Sequence, residues 1–191
     1  MTNSTDPPSG YWEEDELDNP LGCAGWVFNC LTNEITVSCT VETADGEDAP
    51  WFDIRDCIES AVLLETVPSI PDCAFNGFDK LASVQISRSV ASIGDEAFAN
   101  CYKLRSLDIP DSVESIRGRA FSKCKFASIK IPRSVTSFKG NPFFGCLNLK
   151  AIDLSENPNF VFVNGVLMNK DKTRIISCSP ESQVPVPFQA Q

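Results

Sequence analysis

The sequence contains no histidine. That absence removes Ser-His-Asp and Cys-His nucleophile activation, imidazole acid–base chemistry and every mixed Cys/His zinc site. No apolar run approaches the roughly 20 residues that cross a bilayer as a helix, so direct membrane insertion is not expected. A P-loop, G-x-G-x-x-G, G-x-S-x-G and C-x-x-C are all missing. No pair of carboxylates can be assigned to a common pocket either. The expectation is a chain that is not an enzyme and carries no cofactor and no metal. The opening stretch, MTNSTDPPSGYWEEDELDNP, lacks the basic and apolar regions of a secretory signal. Either the chain stays inside the cell or a leader was removed ahead of this start, and the sequence leaves both open.

Basic charge is scarce as well. Sixteen Lys and Arg stand against 26 Asp and Glu, for a net charge of −10. Residues 1–20 hold Asp6, Glu13, Glu14, Asp15, Glu16 and Asp18 with no cation, a share of −6 that leaves −4 for the rest. No basic stripe is legible, so nucleic acid is not an expected partner, because phosphate neutralisation dominates that affinity. The acidic stretch reads as a solvated leader. Its Asn3-Ser4-Thr5 is a glycosylation sequon that matters only on export.

Cysteine, by contrast, is plentiful. There are nine, an odd number that cannot pair completely. Cys101, Cys124 and Cys146 recur at spacings of 23 and 22 residues. Such spacing points to a repeat in which a small apolar thiol fills one interior slot per unit, in preference to a functional cysteine site. Cys23, Cys30 and Cys39 precede the repeats, where a disulfide would suit an exported protein.

Aligning on the cysteines exposes the unit. It appears as SVQISRSVASIGDEAFANCYKL (83–104), SLDIPDSVESIRGRAFSKCKF (106–126) and SIKIPRSVTSFKGNPFFGCLNL (128–149), with an earlier copy at 60–81 and a partial one from Ala151. Six apolar columns stay in register. Phe75, Phe98, Phe121 and Phe143 form one; Ile70, Ile93, Ile116 and Phe138 another. Residues two apart, such as Val84 and Ile86, point the same way from a strand. The Ala-Phe-x-x-Cys stretch suits one helical or 3-10 turn on the far side. A single coil cannot hide its apolar edge, and stacking buries the columns continuously.

The unit Ile109-Pro110-Asp111-Ser112-Val113, followed by Ala120-Phe121 and Cys124, resembles the BspA-like leucine-rich repeat, also called the Treponema pallidum type. Ala97-Phe98 with Cys101 carries the same resemblance, as do the flanking stretches Trp26–Asn29, Glu34–Ser38, Ala49–Phe52 and Asn157–Thr173. Departures are Pro71 where Gly94 stands one coil later, Pro142 in place of the Ala of Ala-Phe, and a one-residue shortening before Phe126. The resemblance implies an α/β leucine-rich-repeat solenoid of short parallel strands, with β end caps. It also implies a surface or secreted protein that attaches to a host or extracellular matrix protein. A cytoplasmic scaffold or regulatory protein is the alternative.

The expected organisation is a leader at 1–20, one domain at 21–180 and a loose tail at 181–191. Within the domain, 21–59 is an amino-terminal cap, 60–150 holds about four repeats and 151–180 is a closing hairpin around Asn164-Gly165. A monomer is expected. Partner binding is assigned to the concave sheet, where Gln85, Asp108, Lys130 and Asp153 face outward and Arg88, Asp111 and Arg133 stand at the rim. The competing reading is a polar surface whose neighbouring opposite charges satisfy one another. Asp153, Glu156, Asn157 and Asn159 match no standard calcium loop and read as solvated turn residues. Trp26 and Trp51 read as cap core in preference to a sugar platform.

Overall fold

The structure is a computed structural model that describes residues 25–38 and 49–179. The acidic leader, its sequon, Cys23, Cys39 and the tail at 181–191 lie outside the described residues.

Among the described residues thirteen strands follow in chain order: β1 (Trp26–Asn29), β2 (Glu34–Val37), β3 (Ser60–Leu63), β4 (Ser69–Ile70), β5 (Ser83–Ile86), β6 (Ser92–Ile93), β7 (Ser115–Arg117), β8 (Ser128–Lys130), β9 (Ser137–Lys139), β10 (Ala151–Asp153), β11 (Phe160–Val163), β12 (Val166–Asn169) and β13 (Ile175–Cys178). Strands two to four residues long are what a coil of 22 or 23 residues allows, since each coil must turn three corners. Equivalent strands of successive coils pair in parallel, giving the orders β2-β3-β5 and β4-β6-β7-β9. The expected solenoid is the fold.

The apolar columns of each coil point inward, and like falls on like. Ile70, Ile93, Ile116 and Phe138 lie in register through the ladder pairs of the second sheet. Phe75, Phe98, Phe121 and Phe143 queue in one row, with centroids 5.4, 6.0 and 5.7 Å apart and planes within 17°. Each Phe of this row is buried and contributes roughly 1.5–3 kcal/mol to the core.

Each Ala-Phe-x-x-Cys segment makes i→i+3 turns, such as Ala99 N–H to Glu96 O at 3.0 Å, one at a time. Among the described residues the one full 3-10 helix is Phe52–Cys57, in the cap. The turns form a third ladder. Phe75, Phe98 and Phe121 donate their N–H groups to Ala97, Ala120 and Pro142 of the next coil at 2.7, 2.8 and 2.9 Å. The chain must bend sharply to aim them, and Gly77, Asn100, Lys123 and Gly145 share left-handed φ values of 79°, 60°, 60° and 73°. Gly and Asn tolerate that region; Lys does so at a cost.

Every rung of this ladder is donated by the earlier coil, so the first coil's carbonyls have no coil before them. The cap supplies the missing donor. Trp51, 2% exposed, stacks on Phe75 at 5.7 Å and donates its indole Nε1–H to Ala74 O at 2.8 Å. It extends both the aromatic row and the hydrogen-bond row by one rung. At the other end β11, β12 and β13 form an antiparallel sheet that covers the last coil, with Phe160 packed on Phe138 at 4.7 Å.

Candidate functional site

The outward strand face is built by the alternation of the coil strands. Ala61, Val84, Leu107, Ile129 and Ile152 turn inward and are buried, so the residue that follows each of them faces out. That next column is Val62, Gln85, Asp108, Lys130 and Asp153, in register through the pairs Val62↔Gln85 and Lys130↔Asp153. Gln85, Asp108, Lys130 and Asp153 are all exposed, and so are Arg88, Asp111 and Arg133 just beyond the strand ends. The structure thus brings all seven predicted residues onto one side of the solenoid.

Their bonding differs from simple pairing between neighbours. Lys130 turns to Glu156, Nζ to Oε1 at 2.8 Å, and this hydrogen bond raises its pKa from the ordinary lysine value. Asp153 accepts the Ser155 N–H at 2.9 Å, and that bond holds its carboxyl below the ordinary range. Both groups bond first to the turn that follows β10, and their attraction for each other adds to both shifts. Arg88, Asp108, Asp111 and Arg133 form no ion pair among the described residues.

The face has a discontinuity that the sequence did not reveal. Residues 105–110, which carry Asp108, form no strand, and the sheet splits into β2-β3-β5 on one side and β8-β10 on the other. On the β8 side the cause is the shortened coil. Elsewhere the residue before each strand donates to its counterpart one coil earlier, as Ala82 N–H to Glu59 O and Lys150 N–H to Ala127 O do. In the short coil Lys125 N–H bonds Leu104 O instead, at 3.1 Å. Leu107 and Ile109 still point inward at 6% and 9% exposure, so the side chains keep the column while the backbone loses the ladder.

At the turn after β10, Asp153 and Glu156 are exposed as expected, but the reading of Asn157 as solvated is corrected. Asn157 is buried and donates Nδ2–H to Pro132 O at 2.6 Å and Val135 O at 3.0 Å. It ends a row in which Ser89 and Ser112 donate to Val67 O and Val90 O of the coil before. Among the described residues no group of His, Cys, Asp or Glu is arranged to hold a metal. None of their helices is long and apolar enough to cross a membrane.

The buried cysteines are structural. Cys101, Cys124 and Cys146 donate S–H to Phe75, Phe98 and Phe121 carbonyls at 3.1, 3.1 and 2.9 Å. Burial pushes the thiols of Cys101 and Cys146 up to about 12 and about 11, and that of Cys124 further up. Thiolate chemistry at neutral pH is closed to them.

Sequence reading also missed two surface networks. Asp72 accepts the Asp95 N–H at 2.7 Å and Asp95 the Gly118 N–H at 2.8 Å, while Arg117 spans both carboxylates at 2.9 and 3.0 Å. Gly94 is required there, since a Cβ would lie 2.5 Å from the Asp72 carboxylate. The second is a basic flank. Lys103, Arg105, Lys123, Lys125 and Lys150 are scattered in the sequence, and the coil period brings them to one side.

Comparison with known proteins agrees with this geometry. A family model described as a BspA-type leucine-rich-repeat region matches residues 51–170 in six copies. A leucine-rich-repeat protein from Eubacterium ventriosum superposes with a TM-score of 0.67 at 26% identity, over 83% of this chain and 49% of that one. One from Bacteroides ovatus gives 0.51 at 26% identity, over 68% and 39%. The pneumococcal vaccine antigen PcpA shares the fold with a TM-score of 0.54 at 23% identity, over 65% and 38%. The chain spans half or less of the length of these proteins. Among curated proteins no significant match is found. Because the repeat match takes in more than half of the sequence and falls on the coils described above, the chain belongs to the BspA-type leucine-rich-repeat family.

Proposed function

We propose that the chain is a non-catalytic protein-binding module of a surface or secreted protein, which holds a host or extracellular matrix protein on its outward strand face. The observation that carries this reading is the unfinished state of that face. Four exposed charged side chains, Arg88, Asp108, Asp111 and Arg133, have no ion-pair partner among the described residues. The backbone of 105–110 between them lacks its ladder. A partner chain can supply both kinds of bond.

Size limits the affinity. Six strand rows at about 4.8 Å, each roughly 12 Å long, cover on the order of 350 Å² in plan. A standard interface takes about 800 Å² from each side. The partner must therefore reach the rim at Arg88, Asp111 and Arg133, or bind weakly. The test is binding of the chain, displayed on a cell or bead, to a panel of extracellular matrix proteins. The charge-reversed variant D108R/K130E/D153R should lose capture while keeping the parent's melting temperature. Equal capture by both, or capture of none of the panel, overturns the proposal.

A cytoplasmic scaffold is the second reading, favoured by the exposed free thiols Cys30, Cys57 and Cys178. Thiol titration of protein from its native source separates the two. Reduced cysteines before the repeats support the cytoplasm, and oxidised ones support export.

A further inference from the structure

Charge is distributed unevenly along this chain. Residues 1–54 contain 12 acids and no cation; the remainder holds 16 cations and 26 − 12 = 14 acids, for +2. The fold sharpens that asymmetry on the flank between the turn ladder and the strand face. Lys103, Arg105, Lys123, Lys125 and Lys150 lie there on three consecutive coils, and the stretches 102–105, 123–127 and 147–150 contain no Asp or Glu. Four of the five are exposed and Lys125 is half-buried. Among the described residues none forms an ion pair. Tyr102, Phe144 and Leu147, at 42%, 52% and 67% exposure, stand among them, with the Lys125 ammonium 5.8 Å above the Tyr102 ring. Toward the cap the same flank becomes mixed in charge, with Asp56, Glu59 and Asp79 beside Lys80.

A basic strip with exposed apolar side chains calls for an occupant that is acidic and carries aromatics. The chain contains one. The segment 11–18 reads Tyr-Trp-Glu-Glu-Asp-Glu-Leu-Asp, five carboxylates beside two aromatic rings. We propose that this segment docks on the flank formed by Lys103, Arg105, Lys123, Lys125 and Lys150 of its own molecule. Its carboxylates pair with the cations, and Tyr11 and Trp12 cover Tyr102, Phe144 and Leu147.

The reach is sufficient. Glu13 lies twelve Cα–Cα steps before Gly25, where the described chain starts, and that length extends to roughly 40 Å. Lys103 and Lys150 lie four and six strand rows from β1, roughly 20–30 Å at the parallel spacing. Tethering places the segment at an effective concentration on the order of millimolar, ahead of a second copy or a dissolved acidic peptide at micromolar levels. An external polyanion must displace it. The flank is separate from the strand face, so this docking and the protein-binding reading fail independently.

Zero-length carbodiimide crosslinking of the full chain, followed by peptide mapping, tests the docking. In low salt, crosslinks from residues 13–18 to Lys103, Lys123, Lys125 or Lys150 should dominate the monomer fraction. They should fall at least about tenfold in 1 M NaCl, where the Debye length is about 3 Å. The variant K103E/K125E should cut the yield at Lys123 and Lys150 by about fivefold or more. The salt series on the unaltered chain decides the matter even if that variant folds poorly. Absent crosslinks, crosslinks to Lys130, Lys139 or Lys170 at equal yield, crosslinks confined to dimers, or salt-independent yields each overturn the proposal.

Discussion

Two sides of the solenoid stack the same unit, yet one is laddered throughout and the other is interrupted. Along β4, β6, β7 and β9 every strand pairs with the next, and the neighbouring turns repeat their three N–H to carbonyl bonds from coil to coil. Along the strand face the pairing stops at 105–110 and resumes at β8. The interior shows no such break, since Leu107 remains as covered as its column neighbours Val84 and Ile129. Side-chain stacking and backbone pairing are therefore separable in this fold. The laddered side fixes the coils, and the other side can lose pairing without opening the core.

That comparison predicts unequal costs for truncation. Phe98→Ala removes a rung from the laddered side, where packed neighbours on both faces resist collapse, and should cost about 3–5 kcal/mol. Leu107→Ala, on the unladdered strand, should fall near about 2 kcal/mol, because a backbone without ladder bonds relaxes into the space. Urea denaturation of both variants measures the difference. Equal losses would mean that the two sides are equally rigid.

The cap offers the next largest effect. Trp51→Phe keeps an aromatic ring on Phe75 but deletes the indole donor to Ala74 O. A buried carbonyl without its donor costs about 1–3 kcal/mol. Unfolding should start at the cap, with amides of the first coil losing hydrogen-exchange protection before those of 92–121. Protection lost uniformly would show that the cap and coils open as one.

Alkaline pH tests the thiol row. Cys101 and Cys146 titrate near 12 and 11 in the fold, above the ordinary value of 9.0 shared with the unfolded chain. Between those values the unfolded chain has released protons that the folded chain retains, so unfolding releases protons and becomes easier as pH rises. Stability should hold below about pH 8.5 and decline from about 9 toward 11–12. Alanine at position 101 should flatten part of that decline. A stability profile flat to pH 11 would contradict thiol burial.

Much of the fold was legible because coil-to-coil registry is written in side chains. The Phe row, the Ile column and the cysteine spacing each specify a contact between like residues, and those contacts formed. The hydrogen-bond pattern was not legible. Nothing in Cys124-Lys125-Phe126 says which carbonyl Lys125 will choose once a residue is missing, since that choice depends on the path of the preceding coil. Asn157 was misread for a related reason. Its column partners are serines, and only the geometry shows an amide reaching two carbonyls where a hydroxyl reaches one. For the candidate site, alternation along the strands was enough to place Gln85, Asp108, Lys130 and Asp153. The basic flank escaped notice because its cations share no sequence run.

The smallest effect on stability carries the most direct information on the interrupted face. Inserting one alanine between Lys125 and Phe126 restores the three-residue step seen from Cys101 to Leu104. The lengthened coil should free Lys125 from Leu104 O and let Ala127 pair with Arg105, bringing 105–110 into the sheet of β8 and β10. Each backbone bond regained adds about 0.5–1.5 kcal/mol, offset by ordering the extra residue, so net stability should move by no more than about 1 kcal/mol. Hydrogen exchange should respond far more, because it reads local opening and not global unfolding. In the natural chain the amides of 106–109 should exchange much faster than those of Ile93 and Ile116. In the insertion variant the two sets should converge. If 106–109 already exchange as slowly as Ile93 and Ile116 in the natural chain, the interruption is not a property of the protein in solution. The strand face would then be a continuous sheet with no unpaired backbone to offer a partner.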